Sequence, residues 1–224
     1  MLPSSDISQL GIGLDARSDA DVKITNVVAT ADLRQHLDLN MISQLTPGAK
    51  YNPQQFPALI YKLQRPRTTT LLFTSGKMVC TGAKSSRLAK RAVAQLINKL
   101  TSNGIVIIAR PDPEVQNIVA TVDLHGIIDL ESVAERLSHT LYEPEQFPGL
   151  IYRMKEPKVV FLVFASGRLV CTGAKVESEV HSAVQKLLDI LQLNGLIAHH
   201  EPSQGKGRTD VAETVVRSEP IACS

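Results

Sequence analysis

Apolar and polar positions along the chain follow two periods, and these periods predict strands and helices in a set order. Runs of β-branched and aromatic residues bounded by Pro, Gly and Ser predict strands over 24–33, 57–63, 68–74 and 77–82. A shorter helix is predicted over 38–45. A longer helix is predicted over 86–100, with Ser85 or Ser86 as its N-cap. Its helically spaced apolar residues are Leu88, Ala92, Leu96 and Leu100.

The same order of elements occurs twice, because the sequence repeats itself without a gap at an offset of 91 residues. Residues 24–100 and 115–191 share 31 identities in 77 positions. A period this long, occurring only twice, predicts two homologous halves related by an approximate two-fold axis. Strand hairpins with helices between them favour an α+β fold, in which helices cover one face of a sheet.

The repeat divides the chain into four predicted parts. These are an N-terminal tail at 1–23, a first repeat at 24–110, a second repeat at 111–200 and a C-terminal tail at 201–224. The tails are rich in Ser, Asp, Gly and Pro and show no periodicity, so we expect them to be mobile. The connection between the repeats is short, which predicts one continuous slab.

The predicted sheet has apolar residues on both faces. In strand 68–74, Leu71 and Phe73 share one parity while Leu72 has the other. An antiparallel sheet that is covered by helices on one side normally presents a polar face to water. A large exposed apolar patch usually marks an interaction site, so we expect the uncovered face to be solvent-accessible and to bind a partner.

Charge is distributed unequally between the two repeats. Residues 24–100 hold 11 Lys and Arg against 2 Asp and Glu, a net charge of +9, whereas residues 115–191 hold 7 against 10, a net charge of −3. Five basic residues cluster around the strands of the first repeat: Lys62, Arg65, Arg67, Lys77 and Lys84. This placement suits a phosphate backbone beside the sheet, although a solubilising surface is the simpler alternative.

Several classes of site are not predicted. The chain has no run of 18 apolar residues and no secretory leader, so neither a membrane span nor export is expected. Cys80, Cys171 and Cys223 lack ligand or disulfide spacing, which favours an intracellular, reducing compartment, and the first two are predicted to be small buried hydrophobes. No catalytic motif is present, so we expect no metal, no cofactor and no enzyme activity.

The repeated motifs N-[IV]-V-A-T, QFPxLIY and SG[KR]xVCTGAK resemble the TATA-box-binding protein family over about residues 24–197. The resemblance implies a pseudo-two-fold saddle, in which a curved ten-stranded antiparallel sheet has helices on its convex face. It also implies a general transcription initiation factor. Its concave face would bind the TATA-box minor groove, kink the double-stranded DNA and nucleate a preinitiation complex.

The resemblance implies a role for residues of both halves. Four phenylalanines match the wedges that open base steps: Phe56, Phe73, Phe147 and Phe164. Four residues match hydrogen-bond partners of the bases: Asn26, Asn117, Thr81 and Thr172. The apolar floor is matched by Val28, Val119, Leu71, Leu162, Val79, Val170, Pro57 and Pro148. Phosphate-contacting positions are matched by Lys62, Arg67, Ser75, Lys77, Arg153, Lys158, Ser166 and Arg168.

The implied base contacts agree with the chemistry of the minor groove. A·T and T·A pairs both show only acceptors there, so short neutral donors can distinguish them from G·C pairs. The guanine amino group would also clash with the valine and leucine floor, and A·T-rich specificity follows. Glu143 and Glu145 match the site that receives a TFIIB-type factor, and through it RNA polymerase. Asn52 and Gln54 replace them in the first repeat.

Two other classes of function are the alternatives. A protein-interaction platform that keeps the fold without binding DNA is disfavoured, because all four phenylalanines and both Asn/Thr pairs are present. An enzyme with a pocket between the halves lacks any catalytic constellation. A divergent paralogue and a homodimer without DNA are also open. Pro57 and Pro148 together resemble archaeal members of the family, whereas the C-terminal tail is not acidic as theirs often is. A DNA-associated location is expected, in an archaeal nucleoid or in a nucleus.

Overall fold

The computed structural model describes residues 20–199, in which each strand and helix of the first half has a counterpart in the second half. The first half contains β1 (Asp21–Asp32), α1 (Leu39–Leu45), β2 (Ala49–Asn52), β3 (Phe56–Gln64), β4 (Arg67–Phe73), β5 (Lys77–Ala83) and α2 (Ser86–Ser102). The second half contains β6 (Glu114–Asp123), β7 (Gly126–Ile128), α3 (Leu130–Arg136), β8 (Thr140–Leu141), β9 (Leu150–Met154), β10 (Val159–Val163), β11 (Arg168–Ala174), α4 (Glu177–Leu193) and β12 (Ile197–His199).

Each strand and helix predicted for the first half is present, but one begins earlier than predicted and the structure contains additional short strands. Strand β1 begins at Asp21, three residues before the predicted start, because residues 21–23 pair with residues 121–123 of β6. The short strands β2 and β8 were not predicted, since each forms only by pairing with the longer strand beside it. Strands β7 and β12 form a separate two-stranded sheet.

Ten strands form one antiparallel sheet in the order β2-β3-β4-β5-β1-β6-β11-β10-β9-β8. The two halves meet at its centre, where β1 pairs with β6 and Val27 lies opposite Ile118. This pairing makes the halves one continuous sheet, as the short connection predicted. The division into repeats at 24–110 and 111–200 stays a prediction, and the expected mobility of residues 1–19 and 201–224 concerns parts outside the described residues.

The helices pack on one side of the sheet. Alternate residues of the strands are buried there, because the side chains of a strand point to opposite faces in turn. In the first half Leu72, Met78 and Cys80 pack with Leu96 and Leu100 of α2. In the second half the corresponding cluster contains Phe161, Leu169 and Cys171, with Val180 and Leu187 of α4. Cys80 and Cys171 are fully buried, which confirms that they are core residues.

Helix starts are stabilised by side chains, including one from the other half. Asp38 and Ser85 accept hydrogen bonds from the backbone N–H groups of Met41 and Leu88, and so act as the N-caps of α1 and α2. The N–H of Ser86 donates to Oε1 of Glu177 across 2.8 Å. Because Glu177 is the first residue of α4, this bond joins the N-termini of the two long helices.

Candidate nucleic-acid interface

The side of the sheet that turns away from the helices carries the predicted base-contacting residues, and we call it the open face. In the first half it carries Asn26, Val28, Leu71, Val79 and Thr81, and in the second half Asn117, Val119, Leu162, Val170 and Thr172. These positions alternate with the core residues, so the packing of the helices determines which side chains point outward. All are partly exposed except Val170, which is 4% exposed.

The two asparagines lie side by side at the centre of the open face. Asn26 is the cross-strand partner of Val119, and Asn117 is that of Val28. The N–H of Gly82 donates to Oδ1 of Asn26 at 2.7 Å, and the hydroxyl of Thr81 donates to the same oxygen at 3.2 Å. The second half repeats this pattern at Asn117, whose Oδ1 accepts from the N–H of Gly173 at 2.8 Å. The family resemblance implies a separate base contact for each Asn and Thr, whereas in the structure the two side chains are also bonded to each other.

A glycine with positive φ makes this contact possible in each half. The pairing of β1 with β5 shifts register between Val27 and Ala29, opposite the Thr81–Ala83 stretch, which is the signature of a β-bulge. Gly82 has φ +94°, a conformation that L side chains rarely adopt, and a Cβ there would lie 3.2 Å from the carbonyl oxygen of Arg67. In the sequence, the only indication of this contact is that glycine recurs at the same place in both copies of the VCTGAK motif, as Gly82 and Gly173.

The four predicted wedges lie in two pairs, toward the two outer ends of the open face, and the pairs differ. Phe56 begins β3 and is 38% exposed, while Phe73, at the end of β4, is partly exposed. In the second half the rings of Phe147 and Phe164 meet edge to face, with centroids 5.9 Å apart and planes at 65°. Phe164 is consequently only 8% exposed.

The expectation of a fully solvent-accessible open face is therefore wrong at Phe164 and Val170. Neither residue belongs to the clusters beneath the helices, so neither is part of the helix-side core. Phe164 is covered by its neighbour Phe147 on the open face itself. Pro57 and Pro148, which follow the first phenylalanine of each pair, are both exposed.

The predicted phosphate contacts are all exposed, but their electrostatic surroundings differ. Nε of Arg168 lies 3.5 Å from Oδ2 of Asp123. Lys77 is the repeat counterpart of Arg168 and lies opposite Asp32 on β1, but it forms no ion pair among residues 20–199. A carboxylate in ion-pair contact offsets a positive charge more than one farther away, so the charge of Arg168 is the more strongly offset.

Glu143 and Glu145 lie in the turn between β8 and β9, and both are exposed. The backbone carbonyl of Glu143 accepts hydrogen bonds from the N–H groups of Gln146 and Phe147, so the turn is folded and leads directly to the first phenylalanine of that half. The corresponding turn of the first half carries the neutral, exposed Asn52 and Gln54.

Two negative observations apply to the described part of the chain. Residues 20–199 contain no group of three or more His, Cys, Asp or Glu side chains placed to hold a metal ion. Of the helices in the same range, none has the length and apolar character needed to cross a membrane.

Comparison with known proteins assigns the chain to a family. The model of the family described as transcription factor TFIID, or TATA-binding protein, matches residues 21–103 and 112–193. The chain belongs to the TATA-binding protein family. The TATA-box-binding protein of Aeropyrum pernix is 49% identical over 181 residues, which is 81% of this chain and 89% of the relative. That of Pyrodictium occultum is 52% identical over 169 residues, 75% and 85% of the two chains.

The solved structure of Methanococcus jannaschii TBP agrees with the same assignment. It superposes with a TM-score of 0.71 at 42% identity and covers 77% of this chain and 99% of its own. Membership of the TATA-binding protein family confirms the predicted α+β saddle with a ten-stranded antiparallel sheet. It also confirms the resemblance to archaeal members and the expectation that the chain is not an enzyme.

Proposed function

We propose that this chain is a general transcription initiation factor whose open face binds the minor groove of A·T-rich promoter DNA. The central observation is the pair of asparagine amides on an apolar sheet face that no helix covers. Oδ1 of each amide accepts from a backbone N–H, and Nδ2 of Asn117 also donates to Oγ1 of Thr172 at 3.2 Å. The donors that remain for a ligand are Nδ2 of Asn26 and the second amide hydrogen of Asn117. A·T pairs present only acceptors in this groove, so the donors and the apolar floor suit them. The relatives named above are TATA-box-binding proteins, which supports the proposal.

The phenylalanine pairs provide the proposed means of bending the duplex. Phe56 with Phe73, and Phe147 with Phe164, lie toward opposite ends of the open face. An apolar ring that enters a base step replaces part of the stacking that the kink removes, which offsets an unstacking cost of roughly a few kcal/mol per step. The exposed basic residues, with Ser75 and Ser166, would then contact the phosphates and hold the duplex in place.

The acidic turn of the second half is the proposed docking site for a TFIIB-type factor. Glu143 and Glu145 are exposed, and the first half carries neutral residues at the matching positions. A single acidic turn on a nearly symmetric body would direct the factor, and through it RNA polymerase, to one side of the promoter. Assembly of the preinitiation complex would begin there. Since the relatives are archaeal, we place this activity on the DNA of an archaeal nucleoid.

Gel-shift titration with a TATA duplex and a G·C-substituted duplex tests the proposal directly. We expect tighter binding to the TATA duplex, and an affinity that falls as salt rises because phosphate contacts release counterions. Equal binding to both duplexes would reject minor-groove specificity. Absence of binding to either would favour a protein-interaction platform.

Bending is tested by resonance energy transfer between dyes at the two ends of the duplex. Phe73→Ala and Phe164→Ala should each lengthen the end-to-end distance and weaken binding by about 10-fold or more. Leu193→Ala is the control, because Leu193 lies at the end of α4 and is 87% exposed. If both phenylalanine variants bend the duplex as the wild type does, the wedge assignment fails.

Factor recruitment is tested with the double variant Glu143→Gln, Glu145→Gln. We expect binding to DNA alone to be unchanged and the ternary complex with a TFIIB-type factor to be lost. The matched control is Glu131→Gln, an exposed carboxylate of α3. Formation of a normal ternary complex by the double variant would contradict the docking site.

A further inference from the structure

The two phenylalanine pairs have different resting conformations, although their sequences match. The rings of Phe147 and Phe164 are in contact, whereas Phe56 and Phe73 form no such aromatic pair within residues 20–199. Phe56 is exposed whereas its counterpart Phe147 is only partly exposed, and Phe73 is partly exposed whereas its counterpart Phe164 is buried at 8%. We call the Phe147–Phe164 arrangement the closed pair and the Phe56–Phe73 arrangement the open pair.

One residue in each half explains the difference. A Cβ built on Gly149 would lie 2.7 Å from Cε1 of Phe147 and 3.1 Å from Cε1 of Phe164, so the two rings fill the space above this glycine. The repeat counterpart of Gly149 is Ala58, which lies opposite Phe73 and is 2% exposed. Cross-strand partners point to the same face, so the methyl group of Ala58 occupies the space into which the first pair would otherwise close.

We propose that Gly149 keeps the second phenylalanine pair closed in the free protein, so that the first pair enters DNA first and the second pair enters only after it opens. The inference rests on the proposed function, and it names Gly149 and Ala58 as positioning residues that act through the rings. Closure of the pair is a property of the protein alone and can be measured without DNA.

The two phenylalanine pairs are expected to enter DNA in order, because they differ in the ring contacts that must break first. Phe56 already presents surface to solvent and is in no aromatic pair within residues 20–199, so it has no ring–ring contact to break before it meets a base step. Phe164 must first leave the edge-to-face contact with Phe147 and expose a ring that is nearly buried. An edge-to-face contact of this kind favours the closed over the open ring pair by about 2- to 10-fold. We expect unstacking by the second pair to be slowed by a similar factor.

Gly149→Ala is a suitable test because the backbone tolerates it. Gly149 is not among the residues with positive φ, so alanine introduces no backbone strain, and only the ends of the two rings have to move. The reciprocal variant Ala58→Gly gives the first pair the same freedom to close. Thermal unfolding of both full-length variants, compared with the wild type, verifies that they are folded.

Two measurements on the full chain decide the question. In free protein with labelled phenylalanines, NMR contacts between the rings of residues 147 and 164 should be present in the wild type and lost in Gly149→Ala.

In stopped-flow mixing with single-site TATA duplexes, 2-aminopurine at either outer step reports unstacking. Phe73→Ala and Phe164→Ala assign each end, because each should remove the signal at one end only.

We expect the wild type to unstack the first-half step about 2- to 10-fold faster than the second-half step. Gly149→Ala should bring the two rates together, and Ala58→Gly should slow the first. Equal rates in the wild type would overturn the inference while leaving the proposed function intact. The inference would also be overturned if Gly149→Ala lost the ring contact but kept the wild-type ratio of the two unstacking rates. A wild type that unstacks neither step would overturn both.

Discussion

The backbone N–H of Gly82 and the Oδ1 atom of Asn26 are 2.7 Å apart, and this hydrogen bond determines which way the asparagine amide faces. An amide oxygen that accepts from a backbone N–H leaves its NH₂ group for other partners, so the orientation follows from the hydrogen-bond network. Gly173 holds Asn117 in the same way at 2.8 Å. Both amides are thus oriented at the centre of the open face before any ligand arrives, and Nδ2 of Asn117 also donates to Oγ1 of Thr172 at 3.2 Å.

Asn26→Asp removes the donor while keeping the acceptor for Gly82. We expect TATA-duplex affinity to fall by about 10- to 100-fold, because a carboxylate cannot donate to base acceptors and repels phosphate. Fluorescence titration measures the affinity, and thermal unfolding should show a folded protein. Asn40→Asp, an exposed amide of α1, is the control and should bind as the wild type does. Unchanged affinity of Asn26→Asp would mean that Asn26 contacts no base.

Lys77 and Arg168 should contribute unequally to the salt dependence of DNA binding. Asp123 lies 3.5 Å from Arg168 and offsets its charge, whereas Lys77 lies opposite Asp32 without forming an ion pair within the described residues. We expect Lys77→Ala to reduce the slope of log affinity against log salt by about 1, and Arg168→Ala to reduce it less. Titrations at four salt concentrations measure both slopes. A larger reduction for Arg168→Ala would contradict the expected effect of Asp123.

Glu177 should stabilise the junction between the two long helices. Its removal leaves the N–H of Ser86 without this acceptor, so we expect Glu177→Ala to lower the free energy of unfolding by about 1 kcal/mol. Glu177→Gln is the matched control, because it keeps a carbonyl oxygen and should lose less. Urea unfolding at neutral pH measures both differences. Equal stability of the alanine variant and the wild type would show that this bond contributes little.

The buried thiol of Cys171 should make the protein less stable in alkali. Burial raises the pKa of this thiol to about 12 from 9.0, so the folded protein keeps a proton that the unfolded chain releases above pH 9. The associated stability is present below pH 9 and is lost as the pH rises toward 12. Between pH 8 and pH 10 we expect the wild type to lose about 1 kcal/mol more stability than Cys171→Ala.

Urea unfolding at the two pH values measures this loss. Ser182→Ala is the control, because Ser182 is an exposed residue of α4 and its substitution should not change the pH dependence. The same pH dependence in Cys171→Ala and the wild type would show that another group is responsible.

Much of the candidate site was predictable because the repeat doubles every signal. A single Phe in a strand is usually a core residue, as Phe161 is here, but Phe56 and Phe73 recur in the second half with the same neighbours. The bond between Asn26 and Thr81 was not predictable, because it depends on a bulge that brings together residues 55 positions apart. Likewise, no sequence pattern placed the carboxylate of Glu177 on Ser86 of the other half.

The sequence by itself determined the repeat, the α+β class, the two helices and four longer strands of each half, and the residues that share a strand face. These follow from local periodicity, which is a property of neighbouring positions. Tertiary structure alone decided that the Asn amide oxygens accept from Gly82 and Gly173, that Arg168 lies beside Asp123, and that the ring of Phe164 packs against that of Phe147. The first two contacts join residues that are distant in the chain, and all three form only when the sheet brings these atoms together.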